Sequence, residues 1–324
     1  MDELSEVFDI MEARGQVTGV FAAQGRWVAR AHGESLLKLT VMVRGQARLS
    51  ADGLDAPLLL EPGDVAILNS RSWLELQGGA GDGPPREIEP EVTDPAGAIA
   101  AAGPDGDLVV GGRVLLNPAG QALLLQALPP VGHVRASAAE APRLRTIADQ
   151  LVGELAGERM GSDFAVRQYA QLLLLEVLRA YVGQTPLPAG RLRVLTDERL
   201  RPAVSRIHAD PGRNWKLEEL ARACAMSRTT FTERFRAAAG VPPLTYLNGW
   251  RMLLAQRALR DADVRMRPLA ASLGYTSESA FSTAFKREVG ESPHRYRTRI
   301  RNTGPNRTQP LRPQAHPSQT TPAQ

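Results

Sequence analysis

Apolar residues in the first 134 positions fall into short runs that Gly, Pro and Asp interrupt. The runs are Leu36–Val43, Pro57–Leu60, Val65–Leu68, Trp73–Leu76, Val109–Leu116 and Gln121–Leu128. Between them, Gly78–Gly106 is rich in Gly, Pro and acidic residues, which is typical of a long loop. Many short runs with frequent turn residues predict an antiparallel β sandwich or barrel.

The pattern then changes to a helical one. Apolar residues recur at helical spacing from Ala139 to about Ala156 and again from Ser162 to Val182. These two amphipathic helices either cover the core of the β domain or form a dimer surface. The following segment Gln184–Gly190, QTPLPAG, is typical of a linker.

The rear of the chain repeats its own sequence with an offset of 50 residues. The first members of the pairs are Ala221, Ser227, Phe231, Phe235, Gly240, Pro243 and Tyr246; the second members are Ala271, Ser277, Phe281, Phe285, Gly290, Pro293 and Tyr296. Because the pairs keep their order without a gap, we interpret them as a duplicated structural unit.

Each copy is predicted to form two short helices joined by a tight turn. In the first copy, Ser227 suits an N-cap because its hydroxyl accepts a backbone N–H. Phe231 and Phe235, four residues apart, direct the second helix into the core. Small residues at Ala221 and Ala271 would let the two helices cross closely. This is the helix-turn-helix arrangement, whose second helix enters the DNA major groove.

A single helix over Leu244–Arg260 is predicted between the copies. Its residues, at about 1.5 Å each, span roughly 25 Å. A rigid spacer of this order suits two reading heads on successive major-groove faces, which are ~34 Å apart.

Net charge is divided unevenly along the chain. Residues 1–190 carry 15 Lys and Arg against 24 Asp and Glu, whereas residues 191–324 carry 24 against 11. A strongly basic rear half suggests that this half meets a polyanion. A solvated basic face is the alternative reading of the charge. The charge on the repeat itself favours nucleic acid over a duplicated helical bundle without a ligand.

Composition argues against several other classes of protein. A single cysteine excludes an internal disulfide, a CxxC redox motif and a multi-cysteine zinc site. No apolar stretch approaches the roughly 20 residues of a membrane helix. The acidic N-terminus lacks the pattern of a secretory signal. We therefore expect a cytoplasmic protein.

Two long runs of the rear half resemble the double helix-turn-helix domain of the AraC/XylS transcriptional regulators. They are LEELARACAMSRTTFTERFRAAAGVPPLTYLNGWRMLLAQRAL and LAASLGYTSESAFSTAFKREVGESPHRYR. The resemblance covers about Ala203–Arg297. It implies a regulator that binds double-stranded promoter DNA and acts on RNA polymerase.

Segments of the front half are similar to the cupin-like sensor domain of one AraC subfamily. They are DELSEVFDIMEARGQVTGVF, VRGQARL, LEPGDVAILNSRSWLEL and LLLQALPPVGHVRA, together with the isolated Trp27. The implied fold class is α+β with two domains: an N-terminal cupin-like β barrel or sandwich with trailing helices, and a C-terminal all-α double helix-turn-helix. The expected division is 1–183 sensor and dimerisation domain, 184–202 linker, 203–300 DNA-binding domain and 301–324 disordered tail.

The chain departs from that subfamily in its histidines. Many relatives carry histidine where this chain has Trp73 and Thr40. A metal-binding cupin needs three or four converging N or O ligands, but His32 and His133 are the only histidines of the front half and neither belongs to such a cluster. We expect no metal and no cofactor. The front half also lacks the cysteines by which some relatives sense oxidants, and we interpret Cys224 as a core residue.

The resemblance assigns base readout to the exposed faces of the two recognition helices. The positions are Thr229, Thr232 and Glu233 in the first copy, and Ser279, Ala280 and Thr283 in the second. Relatives often carry Arg where Glu233 and Thr283 stand; Glu can accept from a cytosine amino group, and Thr offers a hydroxyl and a methyl. An ion pair of Glu233 with Arg234 or Arg236 is the alternative. The second reader lacks a long donor, so we expect positioning, shape readout or apolar contact from it.

Phosphate contacts are expected from cations around the same helices. The candidates are Arg228, Arg234, Arg236, Lys286, Arg287 and Arg295. Such contacts control affinity and salt dependence more than sequence choice. The tail Asn302–Gln324 is rich in Pro, Gln and Thr and is predicted to be disordered. It is either inert or adds non-specific DNA contacts through Arg301, Arg307 and Arg312.

The leading hypothesis is a transcription regulator that dimerises through the sensor domain and responds to an unknown small-molecule effector. Candidate pocket residues are Trp27, Lys38 and Trp73, each of which suits a scaffold role equally well. The alternative is a ligand-independent regulator whose N-terminal domain serves only for dimerisation. An enzyme fused to a DNA-binding head is disfavoured, because the front half has no reactive cysteine, nucleophile motif or metal cluster.

Overall fold

A computed structural model describes residues 3–33, 35–136, 141–157, 159–261 and 263–302. The chain divides into two compact units between Leu253 and Leu254. The strands are β1 (Arg14–Ala23), β2 (Trp27–His32), β3 (Leu37–Arg44), β4 (Ala47–Ala51), β5 (Leu58–Leu60), β6 (Val65–Asn69), β7 (Trp73–Gly78), β8 (Arg86–Ile88), β9 (Asp107–Leu115) and β10 (Val131–Val134). The helices are α1 (Glu3–Met11), α2 (Pro95–Ala102), α3 (Pro118–Leu124), α4 (Ala141–Leu155), α5 (Ser162–Gln184), α6 (Arg191–Thr196), α7 (Arg201–Ala209), α8 (Leu217–Ala223), α9 (Arg228–Ala239), α10 (Pro243–Asp261), α11 (Met266–Ser272), α12 (Glu278–Val289) and α13 (Pro293–Asn302).

The strands form two five-stranded sheets. One has the order β1-β9-β3-β6-β10 and the other β5-β4-β7-β2-β8. The pairs are antiparallel apart from the parallel pair of β2 with β8. Of the two predicted antiparallel architectures, sandwich or barrel, the structure has the sandwich, and the α+β class is confirmed.

One apolar core joins the inner faces of the two sheets. Met42 and Val109 contribute from the first sheet, and Trp27, Leu49 and Leu76 from the second; all are buried. Burying each large apolar side chain stabilises the fold by about 1.5–3 kcal/mol. The space between the sheets is therefore occupied by side chains along this cluster.

Helices α4 and α5 pack against each other and against the first sheet. Helix α4 contacts β3, and helix α5 contacts β1 and β10. The approach of α5 to β1 requires glycine at Gly15, because a Cβ there would lie 2.4 Å from the carbonyl oxygen of Ala170. The Gln171 side chain accepts the N–H of Gly15 and donates to the carbonyl of Ala13. Leu173 and Leu174 are buried, whereas Leu172 is exposed. The helices thus cover the β domain and still present an apolar residue to solvent.

Two predictions about the front half are wrong. The expected loop Gly78–Gly106 contains β8 and α2. The run Gln121–Leu128, expected as part of the β region, begins inside helix α3 and continues as a turn. Both helices begin at an Asx-Pro pair. The side chains of Asp94 and Asn117 accept backbone N–H groups of the first turn, and a proline follows each of them. In the sequence alone, Asp and Pro at such positions also indicate turns.

The rear half is helical, as predicted. The single helix expected over Leu244–Arg260 is α10. The expected linker 184–202 contains α6, whose Leu192 and Val194 are buried. Ala139 and the tail residues Arg307 and Arg312 lie outside the described residues. The expected start of the disordered tail at 301 is wrong, because Arg301 lies in the last turn of α13 and pairs with Asp263 at 3.1 Å. No helix in the described ranges is both long and apolar enough to cross a membrane.

Candidate nucleic-acid interface

The first head, formed by α8 and α9, holds its second helix through two caps and a buried aromatic pair. Ser227 Oγ accepts the N–H of Thr230 at 3.2 Å and so caps the start of α9. Gly240 ends the helix with a φ of 75°, a conformation that glycine adopts most readily. The rings of Phe231 and Phe235 are buried, with centroids 5.6 Å apart. The opposite face of α9 therefore points to solvent.

The second head, formed by α11 and α12, is built on the same plan. Ser277 Oγ accepts the N–H of Ala280 at 3.1 Å, and Gly290 ends α12 with a φ of 88°. The buried rings of Phe281 and Phe285 lie 5.8 Å apart. The duplication inferred from the sequence thus produces two heads with the same local construction.

The turns of the two heads differ in length by one residue. In the first head the N–H of Met226 donates to the carbonyl of Ala221; in the second the N–H of Tyr275 donates to the carbonyl of Ala270. Ala221 and Ala270 are buried, whereas Ala271 is exposed. The prediction that Ala221 corresponds to Ala271 is therefore wrong, and so is the prediction that the two copies align without a gap. The second turn has one extra residue, so the small residue at the helix crossing is Ala270.

On α9 the predicted readout positions differ in accessibility. Thr229 and Glu233 are exposed, and Glu233 forms no ion pair with any described residue. The alternative pairing of Glu233 with a neighbouring arginine is therefore not observed. Thr232 is half-buried, and its hydroxyl donates to the carbonyl of Arg228 at 2.8 Å. Its remaining means of recognition are the acceptor capacity of that oxygen and its methyl group.

On α12 the predicted readout positions form a short, weakly polar surface. Ser279, Ala280 and Thr283 are all exposed, on the side away from the buried phenylalanines. None of the three has the reach of an arginine or a glutamine. Contact of this helix with bases therefore requires a close approach of the backbone to the groove.

Four of the predicted phosphate contacts are exposed and form no ion pair within the described part of the chain. They are Arg236, Lys286, Arg287 and Arg295. Arg228 pairs with Glu218 at 3.0 Å, and both side chains are more than half exposed. An exposed pair contributes only about 0–1 kcal/mol, so a phosphate can compete for Arg228.

Arg234 has a different role from the one predicted. Its Nη2 and Nε atoms lie 2.9 and 3.2 Å from Asp197 Oδ1, and Asp197 is largely buried. This pair fastens α9 to the turn between α6 and α7. The guanidinium of Arg234 is thus engaged by a carboxylate of the chain, which replaces the expected phosphate contact with a structural ion pair. Local sequence patterns do not reveal this pair, because Asp197 is 37 residues away along the chain.

Two exposed cations at the start of α11 were not singled out from the sequence. Arg265 precedes the helix and Arg267 lies in its first turn. The first helix of a helix-turn-helix crosses the DNA backbone, so cations here are suited to phosphate. The sequence could have predicted this role, because both arginines lie just before Leu269, the first apolar core position in the first helix of the second copy.

Cys224 lies in the turn after α8, with its Sγ 3.9 Å from the carbonyl oxygen of Leu200. Burial raises the pKa of the Cys224 thiol, and the backbone N–H of Ala203 and the charge of Arg206 oppose this only in part. The reactive species of cysteine is the thiolate. The environment therefore suits a packing role rather than chemistry.

Cys224 is expected to react slowly with a disulfide reagent such as DTNB at pH 7. A raised pKa and partial burial should make the native rate about tenfold or more lower than that of a free thiol. The measurement is simple because the chain has one cysteine. The same protein in denaturant is the control and should react at the free-thiol rate. A native rate equal to the denatured one would contradict the assignment.

The three predicted effector-pocket residues do not come together. Trp27 is buried in the sheet core, and its Nε1 donates to Asp107 Oδ2 at 2.6 Å. Trp73 lies at the other end of the β2–β7 pair and is 37% exposed. Lys38 donates to the carbonyl of Gly33, and burial lowers the pKa of Lys38 while Asp52 opposes this. The placement of Trp27 corresponds to a scaffold role.

His133 also has a structural partner. Its Nε2 lies 2.9 Å from Asp64 Oδ2, and the buried Asp64 carboxylate also accepts the N–H groups of Ala136 and Glu61. This cluster fastens β10 to the turn before β6. Within the described ranges, no three His, Cys, Asp or Glu side chains form a group suited to a metal ion.

A β sandwich with two helix-turn-helix heads defines the class of DNA-binding transcription regulators. A cupin family model matches residues 2–183, and a helix-turn-helix domain model matches residues 220–299. A putative AraC-like transcription regulator of Streptomyces lividans is 34% identical over 308 residues, covering 92% of this chain and 98% of that protein. A protein of the same description from Streptomyces antibioticus is 35% identical over 303 residues, with the same coverage. The DNA-binding domain of AdpA, solved with a target DNA, is 34% identical; the match covers 34% of this chain and 98% of that one, with a TM-score of 0.32.

The chain belongs to the AraC family of transcription regulators, with a cupin-like N-terminal domain.

Proposed function

We propose that the protein acts as a cytoplasmic homodimer that reads promoter DNA with both heads, acts on RNA polymerase and responds to a small-molecule effector. In this proposal, residues 1–183 sense and dimerise, 184–202 connect and 203–300 bind DNA. The observation that carries the DNA-reading part is the pair of capped helices whose buried phenylalanines turn an exposed face to solvent. No catalytic step is part of the proposal.

Base readout is assigned to the exposed residues of α9 and α12. Thr229 and Glu233 offer the acceptors and the methyl group suited to base edges in the first half of the site. Ser279, Ala280 and Thr283 contribute by close apolar contact and shape. Thr232 is retained as a contact through its methyl group. Arg228, Arg236, Lys286, Arg287 and Arg295 neutralise phosphates, and Arg265 and Arg267 join this set.

Selection of DNA from a random library with the full-length protein tests the proposal. The expected result is one enriched sequence with two separately conserved blocks, since each head reads its own segment of the groove. Enrichment must survive a moderate salt concentration, because non-specific binding depends most strongly on counterion release. Recovery of a library without sequence preference would refute sequence-specific reading by these heads.

Thr229→Ala and Glu233→Ala are each expected to change specificity at one or two base positions within one block. Loss of a good base contact removes about 1–3 kcal/mol of discrimination, or about 5- to 150-fold in relative affinity. Binding of the selected DNA and of single-base variants measures the change. Thr245→Ala, an exposed threonine at the start of α10, is the matched control and should leave the profile unaltered. An unchanged profile for both variants would remove these residues from readout.

Dimerisation is assigned to the exposed side of α5. Phe164 is 62% exposed and Leu172 is 46% exposed. With the exposed Gln168 between them, the three residues are spaced four apart and so share one side of the helix. Large apolar side chains at such spacing suit a helix-to-helix contact with a second copy.

Phe164→Glu combined with Leu172→Glu is therefore expected to convert a dimer into a monomer. Two buried carboxylates per subunit would oppose each other across a symmetric contact. Sedimentation of the full-length protein measures the change. Leu59→Glu, at an apolar position of β5 with the same exposure, is the control and should remain dimeric. If the double variant also sediments as a dimer, the dimer interface does not lie on this side of α5.

A further inference from the structure

A cavity of about 400 Å³ lies outside the β sandwich, within the first unit. Its walls come from α1, α3, α5 and α6 and from the start of α7. The lining includes Met11, Leu124, Leu178, Leu192, Leu195 and Arg201. Ligand pockets span about 300–1,000 Å³ and are mostly apolar with few polar groups. The size and the lining of this cavity therefore suit one small organic molecule.

Two of the four polar side chains that line this cavity are cationic. Arg179 and Arg201 both line it. The positive charge of Arg179 is already neutralised, because its Nη1 donates to the buried Glu176 carboxylate at 2.8 Å. Arg201 is exposed and pairs with no carboxylate among the described residues. An uncompensated guanidinium beside an apolar space favours a ligand with one anionic group, because charge-assisted hydrogen bonds to a carboxylate are strong.

The wall formed by α6 also contacts the DNA-reading helix. The N–H of Gly190, just before α6, donates to the carbonyl of Ala238 in α9 at 2.9 Å. Just after α6, Asp197 pairs with Arg234 of α9 at 2.9 Å. Helix α6 packs on α9 along the intervening turns. A molecule that touches Leu192 and Leu195 therefore touches a helix whose two ends are both joined to the C-terminal half of α9.

We propose that this cavity is the effector site, and that its ligand is a small amphiphile with an apolar body and a single carboxylate held by Arg201. The inference rests on the proposed effector response and places the site at these helices rather than at the β-domain candidates Trp27, Lys38 and Trp73, which do not come together. Occupancy stabilises α6 in the position that holds α9, because a ligand that binds one conformation shifts the population toward it.

Calorimetric titration of the full-length protein without DNA tests the site, with decanoate as the anionic probe and decan-1-ol as its uncharged counterpart. The expected result is saturable decanoate binding with one molecule per chain. Decan-1-ol should bind about tenfold or more weakly, because it lacks the carboxylate that accepts a charge-assisted hydrogen bond from Arg201. Absence of saturable decanoate binding, or equal affinity for the alcohol, would overturn the proposal.

Variants locate the binding. Arg201→Gln should weaken decanoate about tenfold or more and leave decan-1-ol unchanged. Leu195→Trp should abolish both by filling the space; Thr196→Phe, at an exposed lining position, gives the same readout if the tryptophan variant does not fold. Arg199→Gln removes a neighbouring exposed charge outside the lining and should bind like the original protein. Binding that no lining variant alters would place decanoate elsewhere and refute the assignment.

DNA affinity of the same preparations separates this proposal from the proposed function. Protein that reads its selected DNA sequence but binds no decanoate leaves the regulator intact and refutes the cavity as this effector site. Protein that binds decanoate through Arg201 but selects no DNA sequence supports the cavity and refutes the proposed reading heads. Both measurements use the full chain.

Discussion

Replacing Phe235 with alanine is expected to lower the free energy of unfolding by about 3–5 kcal/mol. The side chain is fully buried, 5.6 Å from the Phe231 ring and 5.4 Å from the Tyr246 ring in an edge-to-face arrangement. Truncation removes the buried aromatic area and leaves a cavity between α9 and α10. A loss of this size is a large fraction of the stability of a typical domain.

Denaturant unfolding monitored by helical circular dichroism measures the effect. Leu244→Ala, a truncation at a partly exposed apolar position, is the matched control and should cost less than about 1 kcal/mol. Phe285→Ala should reproduce the loss in the second head, because Phe285 has the same edge-to-face contact with Tyr296 at 5.5 Å. Equal stability of the Phe235 variant and the Leu244 control would show that the aromatic pair does not hold α9.

Replacing Lys286, Arg287 and Arg295 with glutamine in one triple variant is expected to weaken binding to all DNA sequences. Each phosphate contact contributes about 0.9 to the slope of log K against log salt, so three lost contacts reduce the slope by about 2.7. At about 0.1 M salt this corresponds to a loss on the order of 10²–10³-fold in affinity. The three side chains are exposed and without ion pairs in the described chain, so their removal leaves the fold intact.

Titrations at several salt concentrations, with specific and random DNA, measure the slope. The matched control neutralises Arg48, Arg86 and Arg143, three exposed arginines of the N-terminal part, and makes the same change in net charge. This control should keep the original slope. A loss confined to the specific sequence, or an equal loss in the control, would contradict the phosphate assignment.

The sequence predicts the reading heads well because their construction is local. A serine cap, two phenylalanines four residues apart and a terminal glycine each act within one helix. The register error at Ala271 arose in the turn, where an inserted residue changes the offset and where Ala270 and Ala271 offer the same residue type. The backbone hydrogen bond of Tyr275 to Ala270 and the burial of Ala270 distinguish them in the structure.

The other discrepancies involve partners distant in sequence or weak local signals. Strand β1 carries Gly15, Gly19 and alternating polar residues, so it lacks the continuous apolar run that marked β3 and β6. The Arg234–Asp197 pair and the junction cavity join segments separated by tens of residues or more, and periodicity carries no information about such contacts. The candidate pocket residues were selected by residue type alone, which does not determine whether they share a face.

In the proposed DNA complex, the engagement of Arg234 with Asp197 leaves the two heads with unequal numbers of phosphate contacts. The first head keeps Arg236 and the shared Arg228, whereas the second keeps Lys286, Arg287 and Arg295 without competitors. Because each phosphate contact steepens the loss of affinity with salt, the proposed complex predicts that rising ionic strength weakens the hold of the second head more steeply than that of the first.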